Sequence, residues 1–177
     1  MKKIGWIGAG IMGQPMVIHL LNKGYEVHVY ARHPEKVEDA KNAGAIMEAS
    51  IENLTKNCDV ICTMVGFPSD VEEVYEKIFS SIEREKTCID FTTSSPQLAK
   101  KLYHKGKKLG VHILDAPVTG GDTGAKNGTL TILVGSDQED FEKNKEIFEA
   151  FGSQIEYCGT AGCGQHVKMA NQIMIAN

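Results

Sequence analysis

Short apolar runs and amphipathic stretches alternate along the whole chain. The runs have the length and β-branched content of strands, and the stretches between them place apolar residues at helical spacing. The predicted strands cover residues 3–7, 26–30, 44–47, 59–65, 87–91, 111–114, 130–134 and 154–157. The predicted longer helices cover residues 11–22, 68–79, 96–108, 138–151 and 162–175, with short ones opened by Pro34 and capped by Ser50. This alternation predicts a doubly wound, mainly parallel Rossmann-type α/β sheet.

The order of these elements also predicts the domain organisation. Residues 1–161 form one predicted domain, and residues 162–177 are the start of a further helix. A glycine-rich segment, residues 117–128, is predicted to be a loop between two strands. Asp137 is the predicted cap of the helix that follows it, because an aspartate there can accept a free N–H.

Composition narrows the class of protein. The 177 residues carry a formal net charge of −4, whereas nucleic-acid-binding proteins usually have a basic surplus, so no nucleic-acid partner is expected. No apolar run approaches the roughly 20 residues that span a bilayer, and the start leads directly into a strand, so we expect a cytoplasmic protein without a membrane partner. Five cysteines without a C-x-x-C pair and six scattered histidines predict no metal site.

A glycine-rich turn follows the first strand and opens the first helix, which is the context of a dinucleotide-binding site. The turn reads Gly8-Ala9-Gly10-Ile11-Met12-Gly13. Gly8 would make the tight turn, Gly10 would let a pyrophosphate approach the backbone, and Gly13 would let the helix pack closely on the strand. The free N–H groups of the helix would bind phosphate oxygens.

The end of the second strand indicates which dinucleotide binds. NAD sites place a carboxylate there, but this chain reads Tyr30-Ala31-Arg32-His33. A guanidinium can hold phosphate oxygens in a fork, so Arg32 favours NADP, with NAD as the alternative. The competing interpretation is that Arg32 points to solvent.

Two more segments at carboxyl ends of strands are predicted to complete the cofactor site, because open α/β sheets bind ligands at that edge. Met64 and Val65 end the fourth strand, and Thr93 lies just past the fifth. Thr93 could contact the nicotinamide end. It is equally well explained as a helix-entry hydroxyl near the cap.

The segment Thr119-Gly120-Gly121 is a candidate binding site for a carboxylate. Adjacent glycines after a hydroxyl residue can expose consecutive backbone N–H groups, which form an anion-binding nest. A flexible surface loop explains the composition equally well.

Three polar residues share one face of the last predicted helix, namely Lys168, Asn171 and Gln172. Because the helix is otherwise mostly apolar, Lys168 would lose solvation and have a lowered pKa, which suits proton transfer near neutral pH. The alternative is a polar stripe on an exposed helix. His166 lies off this face and is interpreted as structural.

Three motifs together carry a family resemblance. They are the turn with its flanks, residues 4–16; the segment from Asp115-Ala116-Pro117 to Leu130; and Gly162-x-Gly164-Gln165-x-x-Lys168-x-x-Asn171-Gln172. In these motifs and their order the chain resembles the β-hydroxyacid dehydrogenases, which include 3-hydroxyisobutyrate dehydrogenase, tartronate semialdehyde reductase and related glyoxylate and succinic semialdehyde reductases.

The resemblance implies a reversible hydride transfer between NADP(H) and a short β-hydroxyacid or semialdehyde acid. Lys168 would be the general acid/base, residues 119–121 would hold the substrate carboxylate with Asn171 assisting, and Thr93 would contact the cofactor. This chain has Thr119 where the family usually has serine. Gln172 stands where hydroxyisobutyrate enzymes have a second asparagine, which resembles the tartronate or glyoxylate branch. Ala31-Arg32 replaces the common aspartate at the end of the second strand, as in the NADP-using branches.

The resemblance also implies a longer protein. Family members continue from the last helix into an all-helical second domain and form homo-oligomers, so residues 1–177 are expected to bind cofactor better than they catalyse. Two other functions stay open: a non-catalytic dinucleotide-binding module, and a related imine reductase or 6-phosphogluconate-type dehydrogenase. Lys168 with Thr119-Gly120-Gly121 argues against the imine reductase, and Lys168 together with Asn171 argues against the module.

Overall fold

The computed structural model describes residues 1–175, in which strands and helices alternate as the sequence predicts. The strands are β1 (Ile4–Ile7), β2 (Val27–Tyr30), β3 (Ile46–Met47), β4 (Val60–Thr63), β5 (Thr87–Asp90), β6 (His112–Asp115), β7 (Val118–Thr119), β8 (Leu130–Gly135) and β9 (Gly152–Gly159). The helices are α1 (Gly13–Asn22), α2 (Glu38–Asn42), α3 (Ile51–Asn57), α4 (Pro68–Ser81), α5 (Pro96–Leu109), α6 (Gly121–Asn127), α7 (Gln138–Phe148) and α8 (Cys163–Ile175), with a 3-10 turn at Pro34–Lys36. Within this range no helix has the length and apolar content needed to cross a membrane, and no group of three or more His, Cys, Asp or Glu could hold a metal ion.

The strands form one sheet in the order β3-β2-β1-β4-β5-β6-β8-β7, with β9 paired to β8. The first six strands in this order are parallel, whereas β8 runs antiparallel to β6 and β7 and parallel to β9. This confirms the predicted doubly wound, mainly parallel sheet. The chain leaves β1 toward β2 on one side and returns to β4 on the other, so a crevice opens at the carboxyl ends of β1 and β4.

An apolar core covers each face of the sheet, because alternate residues of every strand point to opposite sides. In β1, Trp6 belongs to one core and Ile7 to the other. Trp6 stacks on Phe91 with ring centroids 5.5 Å apart, and both rings meet Phe151 edge-on. Burial on both faces explains why the strands read as nearly continuous apolar runs.

The prediction of a loop over residues 117–128 is wrong, because this segment contains β7 and α6. Two glycines make α6 a poor helix by intrinsic preference. Tertiary contacts stabilise it instead: Gly124 and Ala125 are buried, and the Nε2 atom of His19 on α1 lies 3.1 Å from the Ala125 carbonyl oxygen and 3.0 Å from that of Lys126. The end of α6 is therefore held by a helix 106 residues earlier in the chain.

The predicted helix caps have different outcomes. Ser50 accepts a hydrogen bond from the Asn53 N–H at 3.1 Å, which confirms the cap of α3. Asp137 makes no side-chain cap bond to α7. Its carboxylate accepts the Tyr103 hydroxyl instead, at 2.8 and 2.9 Å to its two oxygens, so Asp137 occupies the predicted N-cap position without the predicted side-chain bond. The Tyr103 hydroxyl thus binds the carboxylate in place of the helix N–H groups.

Candidate active site

The turn between β1 and α1 requires glycine at two positions. Gly8 has a φ of +93°, and a Cβ there would lie 2.1 Å from the Met64 carbonyl oxygen. A Cβ on Gly13 would lie 2.3 Å from the Gly8 carbonyl oxygen. At Gly10 a Cβ would meet nothing within 4 Å, because this residue faces an open cavity. The turn thus combines a tight backbone path with free space beside it, which is what a bound pyrophosphate needs.

The cavity beside this turn has a volume of about 450 Å³ and lies at the carboxyl ends of β1 and β4. This size falls in the range of small-molecule and cofactor sites. Nine of the ten predicted cofactor residues line it: Gly8, Ala9, Gly10, Ile11, Met12, Gly13, Arg32, Met64 and Val65. The tenth, Thr93, is exposed on the turn between β5 and α5 and is not part of this lining. The residues present therefore fit the adenosine and pyrophosphate part of a dinucleotide.

Charged side chains of both signs meet at the β2 end of the cavity. The Arg32 guanidinium donates a hydrogen bond to Asp70 Oδ1 at 3.1 Å and lies 3.9 Å from Glu73 Oε2. Lys36 and Lys77 line the same cavity. Asp70 and Glu73 belong to α4, about forty residues after the strand end, so inspection of the strand end alone missed them. Arg32, which is half exposed, neither points freely to solvent nor stands alone.

A second polar cluster joins β7 and α8. Lys168 is buried, with 6% of its surface exposed, and its Nζ donates to Thr119 Oγ1 at 3.0 Å. Asn171 Nδ2 donates to the same hydroxyl oxygen at 3.4 Å. Burial lowers the pKa of the Lys168 ammonium below its ordinary value, because charge is less stable away from water. Lys168 is therefore not part of an exposed polar stripe.

The other predicted substrate residues differ in their placement. Gly120 and Gly121 follow Thr119 with φ values of +132° and +60°, so the backbone turns sharply beside the hydroxyl. The turn leads directly into α6. Gln172 is exposed on α8, although it neighbours Asn171 in sequence. The structure thus brings Thr119, Lys168 and Asn171 together and leaves Gln172 at the surface.

A buried carboxylate that the sequence analysis missed joins β4 and β5 beside the dinucleotide cavity. Asp90, at the end of β5, accepts the Thr63 hydroxyl at 2.7 Å and the Thr92 N–H at 3.1 Å. Thr92 in turn accepts the Val65 N–H at 3.0 Å through its hydroxyl oxygen. Burial raises the pKa of Asp90 to about 6. Thr63 lies on the neighbouring strand β4, 27 residues away from Asp90, so local sequence carries no signal for this part of the network.

Known proteins resemble the chain over nearly its full length. The family described as the NAD binding domain of 6-phosphogluconate dehydrogenase matches residues 3–159. The chain is 52% identical to an uncharacterized oxidoreductase of Bacillus subtilis, over 99% of the chain and 62% of that protein. It is 38% identical to the 2-hydroxy-3-oxopropionate reductase of Escherichia coli, over 98% of the chain and 60% of that protein.

A solved structure shows the same fold. The chain superposes on the 3-hydroxyisobutyrate dehydrogenase of Mycobacterium tuberculosis, determined with L-serine, with a TM-score of 0.96 at 30% identity. The match covers 99% of this chain and 60% of that one, so the chain spans about three fifths of the length of these relatives. The chain therefore belongs to the family of the NAD binding domain of 6-phosphogluconate dehydrogenase, and within it to the N-terminal domain of the β-hydroxyacid dehydrogenases that its three motifs resemble.

Proposed function

We propose that the complete protein is an NAD(P)-dependent oxidoreductase that interconverts a short β-hydroxyacid and the corresponding semialdehyde acid. The single observation that carries this proposal is the Lys168 cluster. A buried ammonium group 3.0 Å from the Thr119 hydroxyl, on the face of α8 that also presents Asn171, is a costly arrangement in a protein that only binds a dinucleotide. It is the arrangement that a general acid beside a substrate pocket needs.

The proposed roles follow from the chemistry of each group. The bound nicotinamide would supply or accept the hydride. Lys168 would donate a proton to the developing alkoxide in reduction and remove it from the hydroxyl in oxidation, and its lowered pKa makes the neutral form more accessible near neutral pH. Thr119 already accepts from Lys168 and Asn171, so its hydroxyl hydrogen can be donated to a substrate carboxylate. Gly120 and Gly121 would contribute backbone N–H groups.

For the cofactor we propose NADP as the preferred dinucleotide. Arg32, Lys36 and Lys77 bring three cationic side chains to the β2 end of the cavity, which supports binding of a 2′-phosphate. Asp70 and Glu73 partly offset this charge. The Arg32–Asp70 pair is exposed enough to be weak, so a dianionic phosphate can displace the carboxylate from Arg32. Thr93 remains a proposed contact for the nicotinamide end.

We further propose that this domain is part of a longer, homo-oligomeric cytoplasmic protein. On α8 three apolar side chains are exposed, Val167, Met169 and Met174, with 42%, 51% and 77% of their surfaces accessible. Such apolar side chains along one helix support a covering by further polypeptide.

The test is a spectrophotometric screen of the full-length protein with NADPH and NADH against several short semialdehyde acids. The proposal expects turnover with NADPH preferred, and a loss of kcat of at least about a hundredfold in Lys168→Ala with cofactor affinity nearly unchanged. Lys126→Ala, a lysine on the exposed side of α6, is the matched control and should keep wild-type kcat. Retained turnover in Lys168→Ala would remove Lys168 from the mechanism, and cofactor binding without any turnover would favour the binding module.

A further inference from the structure

Lys168 belongs to α8, so the position of this helix sets the position of the amine. The first turn of α8 is attached to the rest of the domain by two sets of hydrogen bonds, one to Asp115 and one made by Gln165. The first four N–H groups of a helix have no partner within it and mark the positive end of its dipole. At this end of α8, backbone N–H groups meet Asp115 at the end of β6, and the Gln165 side chain meets the turn that follows β5. Both contacts lie at the carboxyl edge of the sheet, where the proposed chemistry takes place.

Asp115 provides the first attachment. This residue ends β6 and has 4% of its surface exposed. Its Oδ1 accepts the Gly162 N–H at 2.7 Å and its Oδ2 accepts the Gln165 N–H at 2.9 Å. Burial raises the pKa of Asp115, and these backbone N–H groups counteract the rise, because they favour the ionised form. A carboxylate from a distant strand thus caps the helix.

Two glycines leave the space for this cap. A Cβ on Gly135 of β8 would lie 2.6 Å from Asp115 Oδ1. A Cβ on Gly164 would lie 2.3 Å from the Leu133 carbonyl oxygen and 2.9 Å from Asp115 Oδ2. Any side chain at either position would push α8 away from the Asp115 carboxylate. The two glycines therefore fix the distance between α8 and the sheet.

Gln165 provides the second attachment. Its side chain is buried, with the Nε2 amide donating to the Thr92 carbonyl oxygen at 2.7 Å and Oε1 accepting the Ser94 N–H at 2.9 Å. Both polar ends of the amide therefore bind the backbone of the turn between β5 and α5. This turn contains Thr93, the proposed nicotinamide contact, and is tied through Thr92 to Val65 in the dinucleotide cavity.

We propose that Asp115 and Gln165 are positioning residues, which together hold Lys168 at a set distance from the nicotinamide end of the cofactor site. This inference rests on the proposed function of Lys168. Gln165 and Lys168 are three residues apart on one helical face, about 4.5 Å along the axis, so a shift or rotation of the first turn moves the amine directly. A misplacement of about 1 Å in an active site can cost about a hundredfold in rate.

The experiment compares Asp115→Asn and Gln165→Met with wild type in the full-length protein. Asparagine keeps one acceptor but turns an N–H group toward a backbone N–H, and methionine keeps the length of Gln165 without either hydrogen bond. Each variant should lose kcat by about ten- to a hundredfold with the cofactor KM within twofold of wild type. Asp140→Asn is the matched control, since Asp140 is equally buried but pairs with His112, away from α8, and should keep wild-type kcat.

A readout independent of turnover is the pH dependence of Lys168 acetylation by acetic anhydride, followed by peptide mass spectrometry without cofactor. Only the neutral amine reacts, so the profile reports the pKa of Lys168. In the two variants a displaced and better hydrated Lys168 should titrate at higher pH than in wild type, and the alkaline limb of the reduction rate should move with it. If Asp115 and Gln165 only stabilised the fold, the two variants would have a lower melting temperature, but the acetylation profile and the pH dependence of the reduction rate would stay as in wild type.

The outcomes separate the two proposals. Unchanged kcat and unchanged acetylation profiles in folded variants would overturn the positioning role, as would an equal kcat loss in Asp140→Asn. If Asp115→Asn does not fold, Gln165→Met decides the question by the same measurements. Full activity in Lys168→Ala would instead refute the proposed function, while the acetylation profiles would still show whether Asp115 and Gln165 position the amine.

Discussion

Asp90 should make the stability of this domain depend on pH in a direction opposite to that of most native carboxylates. Burial raises its pKa from 3.8 to about 6, although the Thr63 hydroxyl and the Thr92 N–H favour the charged form. The folded chain therefore binds this proton more tightly than the unfolded chain does. Stability due to Asp90 is fully present below about pH 4 and is lost as the pH rises through 6.

The size of the effect follows from the pKa values. Since each tenfold change in proton affinity is worth about 1.4 kcal/mol, the rise from 3.8 to about 6 corresponds to about 3 kcal/mol, of which about 2 kcal/mol falls between pH 4 and pH 7. Asp90→Asn removes the titration and keeps an oxygen that can accept from Thr63 and Thr92. Its new amide donor adds a pH-independent offset, so the informative quantity is how the difference between variant and wild type changes with pH.

The assay is urea unfolding at several pH values from 4 to 7, followed by circular dichroism, on wild type and Asp90→Asn. The free energy of unfolding of the variant should gain about 2 kcal/mol relative to wild type across this interval. Asp39→Asn, an exposed carboxylate on α2, is the control and should run parallel to wild type. Parallel curves for Asp90→Asn would show that the buried carboxyl is not destabilised by its surroundings, and the reasoning would fail.

Two further predictions concern the dinucleotide cavity. Gly13→Ala places a methyl group 2.3 Å from the Gly8 carbonyl oxygen, so the turn must open and NADPH affinity, measured by calorimetry, should fall at least about tenfold. Gly24→Ala is the control for backbone strain: Gly24 has a φ of +90° but does not line the cavity, so this variant should keep the wild-type NADPH affinity. Equal affinity in Gly13→Ala and wild type would contradict the turn geometry. Asp70→Asn removes the negative charge beside Arg32. The ratio of NADPH affinity to NADH affinity should rise several-fold, because less negative charge then opposes the 2′-phosphate. An unchanged ratio would mean that Arg32 does not face that phosphate.

Much of the fold follows from local sequence because its determinants are local. Apolar runs of strand length and amphipathic stretches repeat with the correct periods, so the alternation of strands and helices is predicted along nearly the whole chain. The glycine pattern at residues 8–13 is equally local, and Gly13 is required by a contact within the turn, whereas the contact that requires Gly8 is with the Met64 carbonyl oxygen just past β4. The shared face of Lys168 and Asn171 follows from helical spacing alone.

The segment at residues 117–128 was mispredicted because its stability is not local. Its glycines disfavour a helix, and α6 forms only where Ala125 is buried and His19 meets its last carbonyl groups. The pairing of β8 antiparallel to β6 likewise depends on a contact between Asp115 and Gly135, which no short-range pattern encodes.

The sequence by itself determined the doubly wound fold, the dinucleotide turn and the polar face of the last helix, because each depends on residues within a few positions of one another. Only the tertiary structure placed Lys168 against Thr119, Arg32 against Asp70, and the first turn of α8 on Asp115. These partners are 49, 38 and 47 residues apart, so their contacts arise from the packing of whole elements at the carboxyl edge of the sheet. Local periodicity specifies an element and its face, whereas burial and hydrogen-bond partners, and with them the lowered pKa of Lys168, exist only once that packing is complete.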